Sequence, residues 1–444
     1  MLLSELANKS IGILGSGREG QAAWRWLRMH FPQKLICIYD EGPANATHEA
    51  IFDGPDDRLI NGPFEIEQLA VHDVLIRSPG ISPYRGELLA IKARGIRFTS
   101  ASNLWFTQHP KAKTICITGT KGKSTTASLV THLLSGHGFK VQLAGNIGQP
   151  LLGCNDFDVD WWVIELSSYQ LVDLDAKPHV AVILNLSDEH LDWHGGSQAY
   201  QDDKLKITRL QADHVLANSK DDLLFKRLSE HGEIRWFGNE TGFHVKDNTL
   251  WDQNRAFRDI PRDSLRGRHN LANLAAALSV LRIVGLEVEN PAASLSTFKA
   301  LPHRLQPLGR LNGIYFINDS LSTTPIATLA ALEALQEERI ILLAGGMDRG
   351  LDWRPYVPQI KELSPYAVIC LPDNGSKIEK VLKEEGFQPE GGIQCAADLS
   401  SAMKMLPGLA RQGDTVLLSP GAPSFPHFRD YEDRGKQFAQ LAGL

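Results

Sequence analysis

Residues 113–138 read KTICITGTKGKSTTASLVTHLLSGHG, an apolar β-type run, a loop of alternating glycine and lysine, and a stretch with Ala127, Leu129, Val130, Leu133 and Leu134 at helical spacing. That order is the strand–loop–helix of a phosphate-binding loop. Glycines 119 and 122 let backbone N–H groups approach phosphate oxygens, and the helix N-terminus adds a favourable dipole. Lys123 supplies a cation for the terminal phosphates, and the Ser124 hydroxyl can ligate magnesium. The strict GxxxxGK[ST] pattern is not met, because Ile117 holds the first glycine position. Such a loop fixes nucleotide use and leaves the acceptor open.

Strand-like runs recur on either side, which predicts an α/β chain with mostly parallel sheets. The 444 residues, at roughly 150 per domain, suggest about three domains. A first block, 1–100, carries SIGILG, KLICIYD and DVLIRSPG; a second, 101–301, carries the phosphate loop, DWWVIELS, HVAVILNLSDEH and ADHVLANS. The third, 302–444, follows LPHRLQPLGR and carries IYFINDS, ERIILLAGG, YAVICLPDNG and DTVLLSPGAP. Their polar or glycine-rich ends are where open parallel sheets place ligands. A net charge of −6 lacks the basic excess of a protein that coats nucleic acid, so no nucleic-acid partner is expected. No run approaches the ~20 apolar residues of a membrane span, and Glu5, Asn8 and Lys9 interrupt the start as a signal peptide, so a cytoplasmic location away from membranes is expected. The five cysteines suggest neither a disulfide framework nor a CxxC metal site, and read as small buried hydrophobes.

The first block also holds a GxGxxG, Gly15-Ser16-Gly17-Arg18-Glu19-Gly20, with Asp40 ending the next strand. Physically this offers a tight turn whose amides hold a pyrophosphate. NAD, a UDP-type nucleotide and a purely structural turn all remain open. Downstream, Glu165 in ELSSYQ and His190 in NLSDEHLDWHG end apolar runs, where a carboxylate and an imidazole could reach a nucleotide-bound magnesium. Lys204 in YQDDKLKI, taken alone, reads as a solvated helix lysine.

The ordered set ITGTKGKST, AGNIG, ELSSYQ, NLSDEHLDWHG, YQDDKLKI, GRHNLANLAAA, LPHR, NDS and LSPGAPSF resembles the Mur ligase superfamily along essentially the whole chain. The GxGxxG block with SPGIS, and SPGAPSFPHFRDYEDRGKQF near the end, resemble its glutamate-adding branch. The resemblance implies three domains: an N-terminal Rossmann-like domain for UDP, a central P-loop ATPase, and a C-terminal α/β Rossmann-like domain that closes over the site. It implies ATP and Mg2+ as cofactors, UDP-MurNAc-L-Ala and glutamate as substrates, and a monomer. In the implied reaction ATP phosphorylates a carboxylate and the amine of the amino acid attacks the acyl phosphate.

Carried over motif by motif, the resemblance makes Lys123, Glu165, His190 and Lys204 catalytic. Gly119, Thr120, Lys121, Gly122, Lys123, Ser124 and Thr125 would cradle the ATP phosphates. Asn270, Asn273, Arg304 and Asp319 would make adenine, phosphate and ribose contacts, with domain closure bringing the last two onto ATP. One magnesium would fall to Ser124 and Glu165, the second to His190 and a carbamylated Lys204. Gly15, Ser16, Gly17, Asp40 and Ser78 would hold UDP, while Asn146, Ser167 and His190 would hold the muramoyl part. Thr323, Arg349, Ser424 and Tyr431 would form the amino-acid pocket.

That pocket departs from the branch. The lysine of the usual NDSKATN is Leu321 here, the lysine of the GGxxK-type loop is Arg349, and Tyr431 replaces a phenylalanine. A planar guanidinium holds a carboxylate at a different distance and angle from an ammonium. A rebuilt clamp is what the opposite stereocentre demands, so L-glutamate is expected, with D-glutamate as the alternative. An NAD-dependent oxidoreductase would leave the central loop unexplained, and a non-catalytic nucleotide switch would bind ATP without forming an amide.

Overall fold

The computed structural model describes all residues except 43–51, 53, 55, 56, 155–157, 231, 262–264 and 266. Its described residues form four sheets that divide between two compact units. The first unit comprises 1–257 and 272–294, and the second 258–271 and 295–444.

In the first unit, strands β1 (Ile11–Leu14), β2 (Ile36–Asp40), β3 (Arg58–Asn61), β4 (Val74–Arg77) and β5 (Arg97–Thr99) form a parallel sheet in the order β3-β2-β1-β4-β5. The order reverses at β1, so the loop after it opens at the crevice where such sheets bind ligands. A second parallel sheet has β6 (Thr114–Thr118), β7 (Val141–Gly145), β8 (Trp161–Glu165), β9 (Val180–Ile183), β10 (His214–Asn218) and β11 (Ile234–Phe237) in the order β11-β10-β9-β6-β8-β7. β6, buried at every position, lies between β9 and β8, so its trailing loop emerges at the sheet's centre. A small antiparallel sheet, β12 (Phe243–Lys246), β13 (Thr249–Asp252) and β14 (Arg255–Phe257), follows. One apolar core runs from Ile13 and Trp26 of the first sheet's layer to Leu151 and Ile164 of the second.

In the second unit, β15 (Gln306–Leu311), β16 (Ile314–Asn318), β17 (Ile340–Gly345), β18 (Ala367–Leu371), β19 (Ile393–Cys395) and β20 (Thr415–Leu418) take the order β15-β16-β20-β17-β18-β19. Only β15 runs antiparallel. Apolar side chains cover both faces, Leu342 and Leu417 on one and Leu343 and Leu418 on the other. That is the two-sided burial a parallel sheet requires.

The α/β expectation therefore holds: β1, β2, β4, β6, β8, β9, β10, β16, β17, β18 and β20 lie inside the apolar runs singled out from the sequence, whereas the remaining strands do not. Among the cysteines, Cys37, Cys116, Cys154 and Cys370 are buried, but Cys395 is exposed because edge strand β19 is itself poorly covered. No described helix is long and apolar enough to cross a membrane.

Candidate active site

At the end of β6, Gly119 and Gly122 take φ of +159° and +81°, conformations that L side chains rarely adopt. A Cβ on Gly122 would stand 2.3 Å from Asn273 Oδ1, so glycine is needed for the helix Arg268–Ile283 to approach the loop. Asn185 clasps the loop from β9's side, accepting from Lys121 N at 2.7 Å and donating to Lys121 O at 3.0 Å. Thr120 Oγ1 lies 2.8 Å from Tyr200 Oη. Thr120 and Ser124 are buried, and Thr125 follows Ser124 in the first turn of the helix Lys123–Gly136.

Lys123 Nζ donates to Gly119 O at 2.9 Å and Thr120 O at 3.0 Å. Lys204 Nζ donates to the same Gly119 oxygen, also at 2.9 Å. The solvated-lysine reading of Lys204 is thereby corrected: only 2% of the residue is exposed. Burial first, and then the charge of Lys123, pull its pKa down to about 7.

Glu165 ends β8 and is also buried, at 1% exposure. Asn146 Nδ2 donates to its Oε1 at 2.7 Å, while Oε2 has no hydrogen-bond partner although it is shut off from solvent. A buried carboxylate oxygen without a donor is costly unless a cation completes it. A hydroxyl and one carboxylate oxygen suit Mg2+, which keeps waters and substrate phosphates as its other ligands. The residues present thus fit the ion, although no cluster of three or more His, Cys, Asp or Glu suited to a metal occurs among the described residues. His190, with φ of +55°, starts the short helix Leu191–His194. Its half-exposed ring lies 4.0 Å from Glu189, whose carboxylate pairs with Lys121.

One network, buried at Ser168, His194 and Asp203, was not foreseen. Tyr84 Oη donates to Asp203 at 2.7 Å, His194 Nδ1 lies 2.8 Å from Asp203 Oδ2, and His194 Nε2 lies 3.0 Å from Ser168 Oγ. It fixes the residue before Lys204 to the segment after Ser167. The only signal available in sequence was the second acid of YQDDK.

The pyrophosphate-type turn after β1 is built on Asp40 and Ser78. Asp40 Oδ2 accepts from Ser16 N at 2.7 Å and Ser16 Oγ at 2.6 Å, and Ser78 Oγ donates to Gly15 O at 3.1 Å. A Cβ on Gly20 would meet Gly15 O at 1.9 Å, which explains the third glycine, whereas Gly17 stands in open space. Behind the turn, Glu19 Oε1 accepts from Gln170 Nε2 at 2.9 Å, and burial pushes the Glu19 carboxyl up to about 7. Gln170 in turn closes a capping box with Ser167.

The second unit carries the remaining candidates except Asn273. Asn270 is half-buried in the first turn of the helix Arg268–Ile283. Arg304 sits between His303 and Leu305, which take φ of +62° and +42°. Asp319 is buried, accepting from Leu305 N at 3.0 Å and Ser419 Oγ at 2.8 Å and bonding Ser322. Burial raises its pKa to about 6. Ser424 is buried, Thr323 and Tyr431 are half-buried, and Arg349 is exposed.

Comparison with known proteins follows the same lines. Residues 117–281 match the Mur ligase middle domain and 303–421 the Mur ligase glutamate ligase domain. The UDP-N-acetylmuramoyl-L-alanine--L-glutamate ligase of Xanthomonas euvesicatoria pv. vesicatoria (strain 85-10) is 40% identical over 100% of this chain and 97% of its own. The protein of the same name from Micromonospora sp. (strain ATCC 39149 / NRRL 15099 / SCC 1413) is 35% identical, covering 99% of this chain and 98% of its own. Among solved structures, the MurF ligase from Thermotoga maritima in complex with ADP shares the fold, with a TM-score of 0.60, 16% identity, and coverage of 100% of this chain and 97% of that one.

Proposed function

Since the chain belongs to the Mur ligase family, as 40% identity along its full length shows, we propose that it is an ATP-dependent ligase that adds glutamate, as the L enantiomer, to UDP-MurNAc-L-Ala. The observation that carries the ligase reading is the convergence of Lys123 and Lys204 on Gly119 O, in the nucleotide loop of the Mur ligase middle domain. The three blocks 1–100, 101–301 and 302–444 are then UDP, ATPase and amino-acid domains of a monomer acting in the cytoplasm.

Joining a carboxylate to an amine in water is uphill. In the proposed reaction the alanyl carboxylate oxygen attacks the γ-phosphorus of ATP, the bond to ADP breaks, and an acyl phosphate forms. The glutamate amine then attacks the acyl carbon, phosphate leaves with the bonding pair, and the amine gives up a proton. Most of the catalysis is positioning and charge stabilisation. Lys123 swings from its loop carbonyls to the phosphates, and the loop amides hold them in line. Ser124 and Glu165 would hold one Mg2+, and His190 with a carbamylated Lys204 a second. Bound there, the ions would neutralise charge on the phosphoryl oxygens. Gly15, Ser16, Gly17, Asp40 and Ser78 frame the UDP, and Asn146, Ser167 and His190 the muramoyl part. Asn270, Asn273, Arg304 and Asp319 serve the nucleotide.

Two features support the L enantiomer: the exchange of the pocket's two lysines for Leu321 and Arg349, and the relatives' own name as L-glutamate ligases. Phosphate release with pure L- or D-glutamate tests it. Faster turnover of D-glutamate at matched concentration assigns the chain to the D-adding reaction.

A further inference from the structure

In the second unit a cavity of about 410 Å³ opens at the carboxyl ends of β17 and β18. Gly346, Ser400, Phe428, Arg434 and Gln437 are among its lining residues. Arg434 is 1% exposed, and among the described residues no carboxylate pairs with it. Its Nε donates to Ser320 Oγ at 2.9 Å, and its Nη2 to Ser320 O at 2.8 Å and Ala422 O at 3.0 Å. Nη1 is buried and has no hydrogen-bond partner among the described residues. Burial with only neutral acceptors pulls its pKa down to about 9.

A buried cation satisfied by dipoles alone is an expensive arrangement, and an anion at the open nitrogen relieves it. The backbone keeps that nitrogen clear, because a Cβ on Gly346 would lie 3.0 Å from Nη1. The acid that lines the same cavity, Asp398, caps its own helix by accepting from Ser401 N. The same guanidinium also braces the proposed amino-acid pocket: Ser320 Oγ, its Nε partner, donates to Tyr431 O at 2.8 Å, and Ala422 precedes Ser424 by two residues.

We infer that the cavity receives the side-chain carboxylate of the incoming amino acid, with Arg434 Nη1 as its donor, so that Arg434 selects an acidic amino acid over its neutral amide. This rests on the glutamate-ligase reading, and it supplies the buried cation that Leu321 no longer provides.

The test is phosphate release by the full chain with UDP-MurNAc-L-Ala, ATP and either glutamate or glutamine, for the wild type, Arg434→Lys and Ser400→Glu. Lysine keeps the charge and loses the planar fork, so the KM for glutamate rises about tenfold while those for ATP and UDP-MurNAc-L-Ala stay within about twofold. Ser400→Glu puts a competing carboxylate in the cavity at a helix N-terminus that tolerates it, and raises the glutamate KM in a folded protein even if Arg434→Lys does not fold. The inference is overturned if both folded variants keep the wild-type glutamate KM. It is also overturned if Arg434→Lys lowers kcat for glutamate and glutamine alike with their ratio unchanged, as a mere brace would. Absence of release by the wild type with either enantiomer of glutamate overturns the ligase reading itself.

Discussion

Lys123 and Lys204, 81 positions apart in the chain, donate to one carbonyl oxygen, that of Gly119, each at 2.9 Å. Two ammonium groups held this close, one of them buried, cannot both be comfortably charged. A Lys204 pKa near 7 leaves much of that side chain as a neutral amine at neutral pH, the form that adds CO2 to become a carbamate. Lys204→Ala is expected to lose most ligation, about 100-fold or more in kcat, without rescue by added bicarbonate. Wild-type rates of phosphate release from that variant would remove Lys204 from the site.

The same shift gives a stability signature. Between about 7 and 10.5 the unfolded chain holds the Lys204 proton and the folded chain does not, so stability rises with pH across that window. Lys204→Met should therefore gain most over wild type near pH 6, with the gap closing towards pH 10. Thermal melts across that range check the sign; a constant gap contradicts the assignment.

Glu19 has the opposite behaviour. Its carboxyl keeps a proton up to about 7 in the folded chain and releases it near 4.5 when unfolded, so stability falls as pH rises between those values. Glu19→Gln keeps an acceptor for Gln170 and abolishes this fall. The variant should melt close to wild type at pH 4 and above it at pH 8, by a degree or two.

Gly20→Ala tests the turn after β1. Its methyl would overlap Gly15 O, which lies 1.9 Å from the Cβ position. Overpacking of this kind costs about 1–3 kcal/mol. The KM for UDP-MurNAc-L-Ala should rise with it, while Gly17→Ala, whose Cβ would meet no protein atom within 4 Å, should leave the stability unchanged. Equal effects of the two substitutions would argue against the close approach.

How much of this was legible in the sequence depends on how local each feature is. The phosphate loop was readable because strand, glycines and helix are contiguous, and β6 is buried throughout as its apolar run implies. β3 and β19 were missed because edge strands carry little apolar pattern: no residue in either is fully buried. Lys204 looked solvated because Asp202 and Asp203 flank it. Only the fold shows that Asp203 is tied into the interior through buried His194, which reaches Ser168 on another segment. Arg434 gave no signal at all within the polar YEDRGKQF, since its environment comes from Ser320 and Ala422, on other segments.

Glu165 is the residue on which a pocket built for a metal-bound nucleotide in an amide-forming reaction depends most directly. Glu165→Gln leaves an oxygen for Asn146 and removes the charge from the atom that now lacks a partner. The decisive measurement is phosphate release from ATP with UDP-MurNAc-L-Ala and pure L-glutamate, titrated with Mg2+, for wild type and Glu165→Gln. Glutamate-dependent release by wild type is expected, faster with L- than with D-glutamate. For the variant a loss of about 100-fold or more is expected, with a raised Mg2+ requirement. Wild-type turnover that does not depend on glutamate, or a Glu165→Gln enzyme as fast as wild type at the same Mg2+, would contradict that reading of the pocket.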